Sequence, residues 1–297
     1  MATNSKEIRR RIKSTQSIAK ITKAMELVSA AKMRKAQLAA QASRPYATLS
    51  AELLRNIAGK MGEAAHPLMK RAVDGQKDSA RVLTILVTSD KGLAGSFNSN
   101  VINKAVTLIK DGEFSAGGGS AFGGDFVTVG RKGMEAIKRL GGNIIATFPG
   151  KDKAISSADS RPIAEIAMTE FIAGRYEKIF IVYPQFISTL VQKPNILQLL
   201  PFSTDADAKP QEEFLFEPTP ADVLENLITR AVEFSIYQTL AEAAASEHSA
   251  RMVAMRNANE AAGELIDDLS LSYNQARQAG ITRELSEISA AKLAMEG

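Results

Sequence analysis

PADVLENLITRAVEFSIYQTLAEAAASEHSARMVAMRNANEAAGELIDDLSLSYNQARQAGITRELSEISAAKLAME, residues 220–296, contains no proline after Pro220 and only two glycines, Gly263 and Gly280. Thr219-Pro220-Ala221-Asp222 opens it with a capping hydroxyl, a proline at the first helical position and an acid where the helix dipole favours negative charge. One helix of this length measures roughly 115 Å. A globular domain is only about 30–40 Å across, so this cannot be an ordinary core element. The other end reads alike: from Ser5 to Ala58 there is no glycine and one proline, Pro45, which is roughly 80 Å of helix.

Spacing within these stretches sets further expectations. Asn4 can cap the first helix, with Glu7 in capping-box position. Ile18, Ile21, Met25 and Val28 follow the 3-4-3 spacing of a coiled-coil seam, and Ile8 and Ile12 lie out of step with them. Pro45 should kink or locally distort the helix, and Gly59, Gly62 and Pro67 mark its exit. Late in the second helix Ile281, Leu285, Ile288 and Met295 repeat the seam spacing, with Lys292 interrupting it. The alanine-rich stretch 241–250 either admits a closely packed neighbour or reflects plain helix propensity. Residues 1–35 hold ten basic groups against Glu7 and Glu26, and residues 251–297 hold seven acids and five bases. Opposite signs favour packing side by side. The basic stretch has no interleaved aromatics and no nucleic-acid recognition module, so nucleic acid is not the expected partner.

Between the helices the pattern changes. VLTILVT (82–88) is a continuous β-branched run, as a buried parallel strand requires. It leads through SDKGLAGSFN into a helix, VINKAVTLIK. The strand DFVTV (125–129), the helix RKGMEAIKRL, the strand NIIATF (143–148), a helix around IAEIAMTEFIAG and the strand KIFIVYP (178–184) follow. QFISTLVQ and NILQLLP read as two paired strands. GEFSAGGGSAFGG (112–124) reads as a flexible loop, and STDADAKPQEEFLFEPTP as an exposed linker. The expected fold is therefore α/β plus long helices: an antiparallel two-helix coiled coil, 1–58 with 218–297, around a central Rossmann-like α/β domain, 59–217.

Composition narrows the function. The chain has 45% apolar and 24% charged residues and a net charge of +4, the make-up of a folded soluble protein. No apolar run approaches the ~20 residues that span a bilayer, and the charged first residues exclude a secretory signal. With no cysteine, disulfides, thiolate metal sites and cysteine catalysis are excluded. His66 and His248 lie in unrelated segments and read as solvated surface histidines. The one candidate for chemistry is Ser89-Asp90-Lys91-Gly92-Leu93-Ala94-Gly95 at the carboxyl end of a strand, where ligands of open α/β sheets sit. Its GxxG matches neither phosphate-binding loop pattern, and no histidine or second acid lies nearby to complete a catalytic set. It reads as a tight strand-to-helix turn.

KEIRRRIKSTQSIAKITKAMELVSAAKMRKAQ, SDKGLAGSFN and ASEHSARMVAMRNANEAAGELIDDLSLSYNQARQAGITRELSEI, in this order around an α/β domain, resemble the gamma subunits of proton-translocating F-type ATP synthases over essentially the whole chain. The resemblance implies a non-catalytic central rotor shaft that transmits torque between the membrane c-ring and a catalytic ring of three alpha and three beta subunits, with the epsilon subunit beside the α/β foot. Carried over, it puts Met25 against moving acidic loops of the catalytic ring, close to Arg277, Gln278, Thr282, Glu284 and Glu287. It places Arg251 near the catch between shaft and ring, and Ile288, Lys292 and Met295 in the bearing at the tip. It implies no directly bound cofactor, ATP, ADP and magnesium being held by partner subunits. The implied location is peripheral, on the cytoplasmic face of a bacterial plasma membrane, without direct membrane insertion. Where the family has Ser-Gly-Ala near its end this chain has Ala290-Ala291-Lys292, and Ala94 stands where relatives often carry cysteine. The competing expectation is a nucleotide-binding α/β enzyme with a coiled-coil dimerisation element. A scaffold using the basic helix to hold DNA is a third.

Overall fold

The computed structural model describes residues 5–61, 66–69, 81–111, 124–150, 155–202, 217 and 219–296. The expected Asn4 cap, Gly62, and most of the 112–124 loop and of the 203–220 linker lie outside them. The elements run α1 (Ser5–Met61), β1 (Val82–Val87), α2 (Phe97–Asp111), β2 (Asp125–Val129), α3 (Arg131–Arg139), β3 (Asn143–Phe148), α4 (Ser157–Ile172), β4 (Lys178–Phe186), β5 (Gln192–Leu200) and α5 (Pro220–Glu296). The chain divides into two units, one of Met1–Ser29 with Met252–Gly297 and one of Ala30–Arg251.

The second unit is built on a five-stranded sheet of order β3-β2-β1-β4-β5. Strands β1 to β4 are parallel, and β5 returns antiparallel to β4. Every residue of β1 is buried, which its unbroken apolar run anticipates. One sheet face carries Leu86, Phe126 and Val182 against Val101, Ala105 and Ile109 of α2 and Ile137 of α3. The other carries Leu83, Ile85, Val127, Ile179 and Ile181 against α4, α5 and Leu54 of α1. Burying each such side chain contributes about 1.5–3 kcal/mol, the main force holding helices to the sheet. α1 continues as one α-helix through Pro45. Tyr46 beside it meets Phe234 of α5, ring centroids 4.8 Å apart.

Three sequence readings need correction. QFISTLVQ is not one strand: β4 runs on to Phe186, and 187–191 is the turn into β5, with Val191 N–H donating to Ser188 O and Oγ. Ile187, Leu190 and Val191 are apolar but exposed, so an apolar turn imitated a buried strand. His248 is not on the surface; it is buried, with Nδ1 3.4 Å from Arg251 Nη1. The third concerns the helical seam, described below. For the alanine-rich stretch, close approach decides: Ala241, Ala243, Ala245, Ser246 and Ser249 are all buried in the second unit.

The corner between β1, β2 and α3 depends on two glycines. Gly130 ends β2 at φ 90, and a Cβ there would stand 2.2 Å from Thr88 O. Gly133 lets Thr88 Oγ1 accept from its amide at 2.8 Å while the same hydroxyl donates to Val129 O at 3.0 Å. Gly130→Ala combines a left-handed backbone with a backbone clash and should cost about 3 kcal/mol. Gly141→Ala, at φ 76 in open space, should cost only about 1 kcal/mol. Urea unfolding midpoints of the two variants test this ordering.

Candidate functional site

The strand-to-helix turn after β1 uses its polar groups internally. Asp90 Oδ1 accepts from Arg131 N–H at 2.8 Å and Gly150 N–H at 3.0 Å, which places its charge at the start of α3. Ser89 Oγ donates to Lys91 O at 2.6 Å and accepts from Asn98 Nδ2 at 2.8 Å. The strand order reverses between β1 and β4, and the crevice at their carboxyl ends is the usual ligand position of such sheets. Here α5 occupies it. Ser246 Oγ donates to Pro184 O at 3.0 Å, Ser249 Oγ to Thr189 O at 2.7 Å, and Arg251 reaches Lys91 O and Gly92 O. Among the described residues no cluster of three or more His, Asp or Glu side chains could hold a metal ion.

The first unit presents a surface instead. Along α1, Ile8, Thr15, Thr22 and Ser29 recur every seven residues and are buried, with Glu26 also buried and Ile12 and Ala19 half-buried between them. That is a heptad seam. The series expected from sequence is not: Ile18, Ile21 and Val28 are 52%, 59% and 55% exposed. Ile8 and Ile12, which read as out of step, are in phase with the packed face. The expected stripe lies about a third of a turn away, facing outward. On α5 the packed positions are Met255, Asn259, Ala262, Ile266, Leu269, Tyr273, Ala276 and Gly280, again at alternating steps of four and three. Ile281, Leu285, Ile288 and Met295 fall on a different phase and are exposed.

On α1 the packed stripe includes hydroxyl side chains that are satisfied within the helix. Thr15 Oγ1 donates to Arg11 O and Thr22 Oγ1 to Ala19 O, so neither asks for a partner across the seam. Glu26 does. Its carboxylate, with only 8% of the side chain exposed, is held by Lys23 Nζ at 3.0 Å and, from α5, by Arg256 Nε at 3.3 Å. The Lys23 hydrogen bond, opposed by burial and aided by Arg256, holds the Glu26 carboxyl below its ordinary value of 4.5.

Glu26 lies near the end of the α1 segment of this unit and Arg256 near the start of the α5 segment, so the remaining residues pair by running in opposite directions. At equal rise, Ser5 comes level with about residue 277. Past that point every side chain described from Ile281 to Met295 is exposed.

The expected contact residues fall into three settings. Arg277, Gln278, Thr282, Glu284 and Glu287, with Ile288, Lys292 and Met295, are exposed on this end of α5. Glu287 pairs with Arg283 at 2.8 Å, an exposed pair that solvent screens. Met25 is half-buried at the border of seam and outer stripe. It is level with about residue 257, roughly 30 Å along the helix from Arg277, so the two do not meet within the chain. Arg251 is elsewhere: it is buried in the second unit and donates to backbone carbonyls. Glu26 and Arg256 escaped the sequence reading, though the heptad from Ile8 to Ser29 carries the phase of Glu26.

A family model described as ATP synthase matches residues 4–295. The ATP synthase gamma chain of Pelotomaculum thermopropionicum is 40% identical over 98% of this chain and 99% of its own length. That of Opitutus terrae is 41% identical over 98% of each. Among solved structures, a chain of the Euglena gracilis mitochondrial ATP synthase (OSCP, F1 and c-ring, rotational state 3) superposes with a TM-score of 0.66 over 98% of this chain and 94% of that chain at 20% identity. One from the Tetrahymena thermophila mitochondrial ATP synthase central stalk and c-ring gives 0.60 over 80% and 99% at 23% identity. At these identities the structural likeness establishes the fold.

Because the folded Glu26 carboxyl titrates below its unfolded value, its contribution is complete above pH 4.5 and is lost as pH falls through the lower, folded value. Glu26→Gln should lower stability by about 1–2 kcal/mol at neutral pH. Its difference from the parent chain should shrink below pH 4.5. Helix melting followed by circular dichroism at pH 7 and pH 4 measures both.

Proposed function

The chain belongs to the ATP synthase gamma-chain family, and from that premise we propose that it is the central shaft of a proton-translocating F-type ATP synthase, carrying torque between a membrane rotor ring and a catalytic ring of three alpha and three beta subunits. One observation carries this reading. In the first unit the packed stripe of α1 is Ile8, Ile12, Thr15, Ala19, Thr22, Glu26 and Ser29, while the bulky apolar Ile18, Ile21 and Val28 of α1, with Leu285 and Ile288 of α5, are exposed. A helix pair folding only for itself would turn Ile18, Ile21 and Val28 in, since each one buried contributes about 1.5–3 kcal/mol. Displayed, they suit a close-fitting sleeve.

In this mechanism the shaft supplies no catalytic group. An asymmetric pair of helices presents a different set of side chains to each of three equivalent sites. Each site is thereby biased toward a different conformation, and turning the shaft moves the bias from site to site. Met25, Arg277, Gln278, Thr282, Glu284 and Glu287 are the contacts on this reading, with Ile288, Lys292 and Met295 in the bearing. ATP, ADP and magnesium belong to the partner subunits. The sheet of the second unit is the foot, meeting the epsilon subunit and the c-ring. Its ligand crevice is filled by Ser246, Ser249 and Arg251 of α5, which favours a foot over a nucleotide-binding enzyme. No helix among the described residues is long and apolar enough to cross a membrane. A peripheral position on the cytoplasmic face of the plasma membrane, reached through the c-ring, fits that.

Mixing the purified chain with alpha and beta subunits should yield a stable complex with ATPase activity; no such complex would end this reading. Ile21→Asp with Val28→Asp should leave the melting of the isolated chain within about 0.5 kcal/mol, because both sites are solvated. The same pair should lower the ATPase activity of the assembled complex at least fivefold.

A further inference from the structure

Leu93 is in the left-handed backbone region, φ 62, and its side chain is 63% exposed. A leucine seldom adopts that conformation, and one in solvent gains no burial in return. Something must hold the backbone there. On one side Ser89 Oγ fixes Lys91 O at 2.6 Å, and on the other Ala94 and Phe97 are buried. Between these anchors, Gly92 O accepts from Arg251 Nε and from Arg251 Nη2, both at 3.4 Å, and Nη2 also approaches Lys91 O at 3.5 Å. The guanidinium is itself fixed by Glu247, 2.6 Å from Nη2, and only 8% of the Arg251 side chain is exposed. Gly92 and Gly95, flanking the Leu93-Ala94 pair, leave the loop wide freedom without that hold.

We propose that Arg251 is a positioning residue, which fixes the 91–93 backbone so that Leu93 is displayed at the carboxyl end of the sheet. On this proposal its effect on the assembled enzyme passes through the loop. The planar fork is what the task requires, because one cation must reach Glu247 and two successive carbonyls together. Lysine, a single point of charge, cannot do so. The consequence for activity rests on the shaft reading above, whereas the positioning itself does not.

Hydrogen exchange of the full-length chain, read on peptides covering 89–98 and 125–148, tests the hold. Arg251→Gln should speed exchange of 89–98 at least tenfold and leave 125–148 within twofold. Arg251→Lys should resemble it, and serves in its place if Arg251→Gln yields no soluble protein. Adding Leu93→Asn, a residue that enters the left-handed region readily, should restore part of the lost protection. In complexes with alpha and beta subunits, Arg251→Gln and Leu93→Ser should each lower ATPase activity, and the double variant should be no worse than the poorer single one. Unchanged exchange at 89–98, equally faster exchange at 125–148, or additive activity losses would each overturn the proposal. If the parent chain forms no active complex, the shaft reading falls while the exchange result still decides the role of Arg251.

Discussion

The packing of α1 against α5 in the first unit governs much else. On α1 the packed positions hold Thr15, Thr22 and Ser29 beside Ile8 and Ile12, and on α5 they hold Met255, Ile266, Leu269 and Tyr273 beside Ala262, Ala276 and Gly280. The threonine hydroxyls of α1 are satisfied within their own helix and ask nothing of register. Glu26 does: a slip along the seam would separate its buried carboxylate from Arg256. Removing one partner of a buried charge costs far more than losing an exposed ion pair, which is why this pair outweighs Arg283–Glu287 although both are close.

In the second unit the constraint is different in kind. The sheet is held by large apolar side chains on both faces, and its carboxyl edge is closed by hydrogen bonds from α5 to backbone carbonyls. Three α5 side chains, Ser246, Ser249 and Arg251, tie β4, the turn after it and the loop after β1 to one helix. A fold that elsewhere offers a cleft to a ligand here uses that cleft to hold a helix. The loop after β1 keeps a strained leucine in view for the same reason: its backbone is fixed from outside by α5, not by its own sequence.

Sequence was a good guide wherever a single dominant force acted. β2 and β3 were legible to the residue, since short β-branched and aromatic runs bounded by turn residues have one favourable outcome. Starts were less legible: α2 begins at Phe97 and α4 at Ser157, where cap and loop geometry decide rather than periodicity. The turn at 187–191 was missed because its apolar residues look like strand and are solvated only by the path of β4 and β5. Of the proposed contact residues, those on the last part of α5 could be named from the family resemblance. Their exposure could not, because exposure depends on where α1 begins beside them.

By itself the sequence determined that two proline- and glycine-poor ends form long helices and that an alternating apolar middle forms a mainly parallel sheet; backbone entropy and side-chain periodicity are local properties. Which stripe of each helix turns inward was left to the tertiary structure. Two apolar-compatible phases exist on α1, and hydrophobicity favours Ile18, Ile21 and Val28. Close packing against α5 selects Ile8, Thr15, Thr22 and Ser29, because the fit between two helices depends on both of their surfaces and on the one charge buried between them.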